Sequence, residues 1–456
     1  MSRASVIRVR PRTLSVSLSL SLFLSLSLLM SGTAPVAVAV AAELAAPPTL
    51  TLDQALAMAR KRSPNLAVER ARLAQARTNI EQAWSALFPT VALQGKYTHN
   101  DREVVLPFGP VDPVTMRPTN ITIQPQEQLD GAINATMPLI APPAYPALDA
   151  VKSGVRASEA NFEVSEAQVQ FTVAQTYYAA AIADEVLVAR KSSVQVARAT
   201  LDNARTRFAA GTVTKVDVDR AELAFMRAEQ QNREAVTARE QTYRTLATLT
   251  HADGAFQVAT TPPSLRSDPQ ALDLAMHLRP EFRALEETVR SAEAQRRAYK
   301  WRWAPTLSAF GLARAFNYKN FAGQQHVWAV GGQLDWVIFD GGVRDAQRHL
   351  AAAQADEAMA RAEVLRDTVG DDLVNGQRSL ETKQKAVETA ERSVALARET
   401  LELVRVQYEA GSVTQVDLLQ AQDSLVAVQE SLAQAHYDVA IADLTLRRAV
   451  GTFPGK

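Results

Sequence analysis

The sequence predicts a mainly α-helical protein with a smaller β component, built from two copies of one structural unit. Residues 208–217 return 200 positions later as 408–417, with the glycine, the threonine and the aspartate in matching places. Each copy also has a run of about 65 residues rich in helix formers. Before that run, each copy has two segments in which apolar and polar residues alternate, as they do in β-strands. A repeat of this length indicates two units packed around a shared axis or core.

The N-terminal residues have the composition of a secretory signal peptide. Four arginines and no acidic residue lie within residues 1–12, and a Leu/Ser-rich apolar run covers 14–30. Small residues follow, with Ala39-Val40-Ala41 as an A-x-A cleavage site. We therefore predict that residues 1–41 are removed on export. The alternative is an uncleaved membrane anchor, since the apolar run is about long enough to span a bilayer.

Charge and composition argue against several classes of function. The 49 basic and 49 acidic residues balance, and removal of the four signal-peptide arginines leaves a net charge of −4, which disfavours nucleic-acid binding. The absence of cysteine excludes disulfides, thiolate metal sites and a lipidated N-terminal cysteine. The six histidines are scattered, and no nucleophile elbow or phosphate loop occurs. We expect no enzyme activity, no cofactor and no metal site.

In the first copy, two helices precede two strands. Thr51 or Asp53 can cap the first helix, Pro64 separates it from a second helix over 65–87, and Pro89 ends that helix. The first strand begins at Thr90. Its apolar face has Val91, Leu93 and Tyr97, and that of the second strand has Leu129, Ile133, Ala135, Met137 and Leu139. Residues 99–125 between them are proline-rich and are predicted to be structureless.

The second copy repeats this order. Its first strand opens near Leu307, although Phe310 and Leu312 interrupt the polar face. The apolar face of the last strand comprises Trp328, Val330, Leu334, Trp336 and Ile338.

Each strand pair is followed by a predicted helical hairpin. The long helices cover 145–208 and 343–408, the return helices cover 216–250 and 416–450, and Gly211 and Gly411 break the runs. The second return helix has a heptad seam typical of a coiled coil: Leu418, Ala421, Leu425, Val428, Leu432, Ala435, Val439, Ala442 and Leu446. The first return helix is less regular, with Asn232 and Arg239 in its seam. These lengths correspond to about 100 Å of paired helix.

The four strands suit a transmembrane β-barrel. Each has about ten residues with one apolar and one polar face, so the polar faces would line a water-filled lumen. Tyr97, Tyr318, Trp328 and Trp336 suit the membrane interfaces, although any of them could equally pack in a core. Four strands cannot close a barrel, because about eight are needed, and an open strand edge is not tolerated in lipid. The chain is therefore expected to oligomerise. The alternative is a soluble four-stranded sheet that caps a helical bundle.

Four motifs carry a family resemblance. They are Leu52-Asp53-x-Ala55-Leu56 with Pro64; Ala86-Leu87-Phe88-Pro89; Trp336-Val337-Ile338-Phe339-Asp340-Gly341-Gly342; and Tyr408-x-x-Gly411-x-x-x-x-Val416-Asp417-x-Leu419-x-Ala421. Because these motifs occur in this order and at this spacing, the chain resembles the TolC family of outer-membrane efflux and secretion channels. The resemblance implies a homotrimer with a 12-stranded outer-membrane β-barrel, a long periplasmic α-helical coiled-coil barrel, and an equatorial belt formed by the chain ends and residues 250–270. Each chain would then divide into a first repeat, 42–260, and a second, 261–456.

The resemblance also implies a function and partners. The trimer would be the passive exit duct of a tripartite efflux or type I secretion system, located in the outer membrane and extending into the periplasm. It would contact outer-membrane lipid and dock on a periplasmic adaptor, or membrane fusion, protein that connects it to an inner-membrane transporter. The competing hypothesis is a periplasmic coiled-coil scaffold or adaptor protein without a membrane barrel.

The second turn would form the periplasmic gate, according to the resemblance. Asp417 occupies a position at which the family often has a ring of aspartates. In a trimer, the three carboxylates would lie near one axis and would raise one another's pKa. The alternative role for Asp417 is a charge that favours the helix N-terminus. Tyr408 matches a residue that tethers the closed gate, and Asp217 matches its partner in the first hairpin. Gln420 stands where the best-known member of the family has a second aspartate.

The two turns are also the predicted adaptor-docking segments. They contain Gly211, Thr212, Val213, Gly411, Ser412 and Val413. Their small residues would let a partner backbone approach closely, and the same residues also make good turns. Val413 replaces an arginine that forms a closing link in the best-known family member.

Overall fold

The computed structural model describes residues 48–106, 111, 113–114, 116–118, 120–259, 272–319 and 323–453. The predicted signal peptide, 1–41, lies outside the described residues, as do residues 260–270 of the predicted belt. In the part of the chain that is described, no helix is both long enough and apolar enough to cross a membrane.

Helices account for most of the described chain. The first half contains β1 (Thr49–Leu50), α1 (Leu52–Arg62), α2 (Pro64–Ser85), β2 (Thr90–His99), β3 (Val104–Leu106), β4 (Ile121–Gln124), β5 (Glu127–Ile140), α3 (Ala144–Ala209), α4 (Lys215–Thr250) and β6 (Gln257–Val258). The second half contains α5 (Leu272–Leu278), α6 (Pro280–Trp301), β7 (Thr306–Phe316), β8 (His326–Asp335), α7 (Val343–Glu409) and α8 (Gln415–Val450). The four predicted hairpin helices are confirmed, each boundary lying within one residue of its predicted position.

The first helices begin at the expected signals. Thr51 caps α1: its hydroxyl oxygen accepts from the Gln54 N–H at 3.3 Å, and the Gln54 side chain accepts from the Thr51 N–H at 3.0 Å. This reciprocal capping box satisfies two N–H groups that would otherwise lack partners. Asp53 lies in the first turn and does not serve as the cap. Pro64 occupies the start of α2, where a missing N–H is tolerated.

The predicted strands form one antiparallel sheet in the order β2-β5-β7-β8, so β2 and β8 are its edges. Its register aligns apolar residues across all four strands. One row contains Leu93, Ile133, Ala313 and Trp328, and the next contains Val91, Ala135, Gly311 and Val330. The large side chains on this face are exposed, with Leu93 at 81% and Trp328 at 76%. An aligned apolar face is therefore left uncovered by the rest of the chain.

The opposite, largely polar face of the sheet contains the aromatic ring of Phe310, which is accommodated by a glycine on the neighbouring strand. Phe310 aligns with Thr136 on one neighbouring strand and with Gly331 on the other. A Cβ atom on Gly331 would lie 2.9 Å from Cζ of Phe310, so the ring occupies the space above the glycine backbone. Gly331 thus explains how a bulky ring fits on a face that is otherwise largely polar.

Two predictions about strands are corrected by the structure. Residues 99–125 are not structureless, because β3 and β4 pair antiparallel within them; both are short runs of β-branched and aliphatic residues, which suit strands. The last strand ends at Asp335, so Trp336 and Ile338 lie beyond it. The Trp336 indole N–H instead donates to the Trp303 carbonyl at 3.2 Å.

A half-buried aspartate and a buried arginine form the junction from β8 to α7. The Asp340 carboxylate accepts from the N–H of Gly342 at 3.2 Å and from that of Arg344 at 3.0 Å. It also accepts from Nε of Arg344 at 2.8 Å, and the Arg344 guanidinium lies 4.2 Å from the Trp303 ring centre. Gly341 and Gly342 have φ of +70° and +89°, which side chains rarely adopt. The junction motif is thus explained by backbone geometry and capping.

The middle of α3 is the attachment point for two very short strands. β1 pairs with β6 in parallel, and neither was predicted. The Tyr177 hydroxyl on α3 lies 3.0 Å from the Leu50 carbonyl oxygen and 2.9 Å from that of Ala259. Burial raises the pKa of Tyr177 to about 12, so the phenol remains a neutral donor. An apolar cluster including Val173 and Leu246 packs beside it.

The two hairpins lie side by side along α3 and α8. α3 packs against α4, α7 packs against α8, and α3 and α8 contact each other. The predicted seam of α8 is buried at both ends, at Leu418, Ala421, Val439, Ala442 and Leu446. These packed hairpins end in the turns at Gly211 and Gly411.

Candidate functional site

The two turns have the same hydrogen-bonded geometry. Gly211 and Gly411 both have φ of +76°. The Thr212 N–H donates to the Arg207 carbonyl at 2.9 Å, and the Ser412 N–H donates to the Gln407 carbonyl at 2.9 Å. The hydroxyls of Thr212 and Ser412 donate to the same carbonyls, each at 3.0 Å. The last carbonyls of both long helices thus have partners in a Schellman-type ending.

Each return helix begins with a threonine–aspartate capping box. The Asp217 carboxylate accepts from the Thr214 N–H at 3.0 Å and from its hydroxyl at 2.8 Å. Asp417 accepts from the corresponding groups of Thr414 at 2.8 and 2.6 Å. Both aspartates therefore have a defined structural role at a helix N-terminus.

The environment of Asp417 favours its charged form. The hydrogen bonds from the Thr414 side chain and backbone lower the pKa of Asp417 below its ordinary value. A ring of three such carboxylates would act in the opposite direction. The role that the structure gives to Asp417 is the helix-terminal one, and its place in a gate remains a prediction.

Within the chain, Tyr408 and Asp217 have separate contacts, and their pairing in a gate remains a prediction. Asp217 is bound by Thr214 and lies 3.8 Å from Arg220. Within the described part of the chain, no hydrogen bond connects it to Tyr408. The guanidinium carbon of Arg207 lies 4.8 Å from the Tyr408 ring centre, and Tyr408 is only 8% exposed. The sequence reasoning missed Arg207, because nothing in the local pattern links two residues so far apart in the chain.

Gln420 lies in a groove between the two hairpins. The groove, of about 690 Å³, is bounded by α3, α4, α8 and Leu401 of α7, and Gln420 lines it together with Arg220 and Asp423. Val413 is half-buried in its turn. Val213 is half-buried as well, and the remaining predicted docking residues, Gly211, Thr212, Gly411 and Ser412, are exposed.

Two polar contacts join the hairpins farther from the turns. Nη2 of Arg190 on α3 donates to Oε2 of Glu430 on α8 at 2.7 Å. Nε2 of Gln422 donates to Oγ1 of Thr200 at 3.1 Å. Neither contact was predicted, because each connects residues more than 200 positions apart.

Of the four aromatic residues predicted for membrane interfaces, Tyr318 is half-buried, and the other three lie at different heights on the sheet. Tyr97 and Trp328 lie near the end of the sheet farthest from the helices, and Trp336 follows β8 at the helical end. All three are exposed. Phe88 and Trp303, which also precede strands at the helical end, are exposed as well and were not singled out.

Comparisons with known proteins agree with this architecture. A family model described as outer membrane efflux protein matches residues 55–255 and 271–452. The outer membrane efflux protein BepC of Brucella suis biovar 1 is 26% identical over 312 residues, which cover 66% of each chain. OprJ, an outer membrane protein of Pseudomonas aeruginosa, is 26% identical over 300 residues, or 63% of this chain and 60% of OprJ. The chain thus spans slightly less than two thirds of the length of these curated relatives.

A solved channel shares the fold. The crystal structure of the open state of the MtrE outer membrane channel of Neisseria gonorrhoeae superposes with a TM-score of 0.73 at 20% identity. The superposition covers 88% of each chain. The element order and the paired hairpins described above are therefore those of a known channel architecture.

Proposed function

The chain belongs to the outer membrane efflux protein family, and from this premise we propose that it forms a trimeric channel that serves as the exit duct of an export machine. Its location is the outer membrane. The duct would be passive, and it would work in a tripartite efflux or type I secretion system.

The observation that carries this proposal is the exposed apolar face of the four-stranded sheet. In water, such an aligned apolar surface is unfavourable, whereas lipid accommodates it. The edges β2 and β8 expose unpaired backbone groups, which the hydrocarbon region of a bilayer does not tolerate. Pairing β2 of one chain with β8 of the next would satisfy both requirements, and three chains would supply a 12-stranded barrel.

The helical hairpins support a long conduit on the periplasmic side. The helices α3 and α7 contain 66 and 67 residues, and each would span about 100 Å at 1.5 Å per residue. We propose that residues 42–260 and 261–456 are the two structural repeats. Three chains would then place six hairpins around one tunnel.

The turns would form the periplasmic entrance. The MtrE structure represents an open state of a channel with this fold, which supports a gate that opens and closes here. We assign Asp417, Gln420, Tyr408 and Asp217 to that gate. The exposed turns would dock a periplasmic adaptor protein, through which the duct reaches an inner-membrane transporter.

Single-channel recording tests the proposal. The protein, exported with its own signal and purified in detergent, should insert into planar bilayers and form pores that prefer cations. Absence of pores in protein shown to be trimeric by light scattering would contradict it. The scaffold hypothesis makes a different prediction, because a peripheral scaffold would leave outer membranes in urea whereas a barrel would not.

A further inference from the structure

A cation–aromatic contact joins the tips of the two hairpins. The Arg207 guanidinium carbon, in the last turn of α3, lies 4.8 Å from the centre of the Tyr408 ring in the last turn of α7. A cation within about 6 Å of a ring centre is attracted by the electrons of its face. Because Tyr408 is only 8% exposed, water screens this attraction poorly.

The backbone of Arg207 is fixed by the turn, and its side chain has no competing carboxylate partner among the described residues. Its carbonyl accepts two hydrogen bonds from Thr212, at 2.9 Å from the N–H and 3.0 Å from the hydroxyl. Nearby arginines of the same hairpin have carboxylate partners, Arg205 with Glu222 and Arg220 with Asp217. Among the described residues Arg207 forms no such ion pair, and its charged group lies against the ring.

The repeat provides this contact only once per chain. The position that matches Tyr408 in the first hairpin is Phe208, and the position that matches Arg207 in the second is Gln407. Phe208 is 46% exposed, and the side chain at 407 is uncharged. The two hairpins are therefore joined at their tips by an interaction that their shared sequence pattern does not repeat.

We propose that the Arg207–Tyr408 contact holds the periplasmic entrance closed, and that the ring face of Tyr408 carries it, not the hydroxyl. This inference rests on the proposed channel function. Asp217, the expected hydroxyl partner, is already bound by Thr214. Arg207 is accordingly a positioning residue that restrains the second hairpin against the first.

Substitutions can distinguish the contribution of the Tyr408 ring from that of its hydroxyl. Arg207→Gln removes the charge, and Tyr408→Leu removes the ring. Each should raise the open probability of single channels by about fivefold, the factor that corresponds to about 1 kcal/mol. Tyr408→Phe retains the ring, and Arg207→Lys retains the cation, so both should behave as the parent protein does. Tyr408→Phe channels as open as those of Tyr408→Leu would overturn the proposal in favour of a hydroxyl tether.

Matched controls exclude general effects on the tip. Arg205→Gln removes an equal charge from the same helix, and Phe208→Leu removes the equivalent ring from the other hairpin. Both should leave the open probability unchanged. An increase in either that equals the effect of Arg207→Gln would refute a specific contact.

A second measurement does not depend on pore formation. The protein has no cysteine, so Ala210→Cys and Ala410→Cys place spin labels on exposed residues of the two turns alone. With labelled chains diluted among unlabelled ones, the distance between the two labels of one chain should lengthen and broaden with Arg207→Gln and remain unchanged with Tyr408→Phe. If the parent protein forms no pores but the distances change in this way, the proposed channel function is contradicted and the Arg207–Tyr408 contact is supported. An unchanged distance with Arg207→Gln overturns the contact itself.

Discussion

At the scale of single residues, a substitution can separate the capping contacts of Asp417 from its proposed role in the gate. Asparagine at position 417 retains a side-chain oxygen that can accept the hydrogen bonds from Thr414 but loses the charge. We therefore predict that Asp417→Asn weakens block of the channel by divalent cations and leaves the helix start intact. Asp217→Asn, which makes the same change in the other hairpin, should not alter the block. Conductance titrated with Mg²⁺ measures both variants, and equal behaviour of the two would remove Asp417 from the gate.

The pH dependence of this block follows from the capping hydrogen bonds. The pKa of Asp417 is lowered from 3.8 by the Thr414 side chain and backbone. A lowered pKa means that the charge is complete at neutral pH and is lost only as the pH falls through the lowered value. The divalent block should therefore persist down to pH 3.8. Fading of the block well above that pH would instead indicate carboxylates that raise one another's pKa across the threefold axis.

At the scale of secondary-structure elements, replacement of glycine by alanine should have opposite effects on stability at Gly370 inside α7 and at Gly411 in the turn that follows it. Gly411 has φ of +76°, so Gly411→Ala introduces strain. Gly370 lies inside α7, and a Cβ atom added there would have no neighbour within 4 Å. Gly370→Ala should therefore stabilise the helix by about 0.5–1 kcal/mol. Hydrogen exchange should accelerate at the turn in the first variant and slow around residue 370 in the second.

The packing of Phe310 on Gly331 offers a second prediction at this scale. Gly331→Ala places a methyl group 2.9 Å from the ring and should disturb the β7–β8 pairing. Gly95→Ala, on the apolar face with nothing within 4 Å, should be tolerated. Heat-dependent mobility in gel electrophoresis reports whether the proposed barrel is folded. If Phe310→Leu restores normal heat-dependent mobility to the Gly331→Ala variant, the clash with the Phe310 ring is the cause of the defect.

The elements differ in how far they could be predicted from sequence. Periodicity, capping residues and the two glycines located the hairpin helices to within one residue, because each signal is local. β1 and β6 have only two residues each and depend on the distant Tyr177, so no local pattern reveals them. The Arg207–Tyr408 contact was out of reach for the same reason. The end of β8 was misplaced because Trp336 continues the alternation of the strand after its pairing has ended.

At the scale of the whole molecule, the assignment of the two sheet faces to lipid and to lumen can be tested at adjacent residues of β5. Ile133 belongs to the exposed apolar face, and Asn134 to the opposite one. An arginine on a lipid-facing strand position costs about 2–4 kcal/mol near the middle of the bilayer. We therefore expect Ile133→Arg to prevent stable insertion, as measured by urea extraction of outer membranes. Asn134→Arg adds the same charge one residue away, and it should insert normally and shift ion preference towards anions. Normal insertion of both variants would show that Ile133 does not face lipid and would contradict the assignment of the two faces.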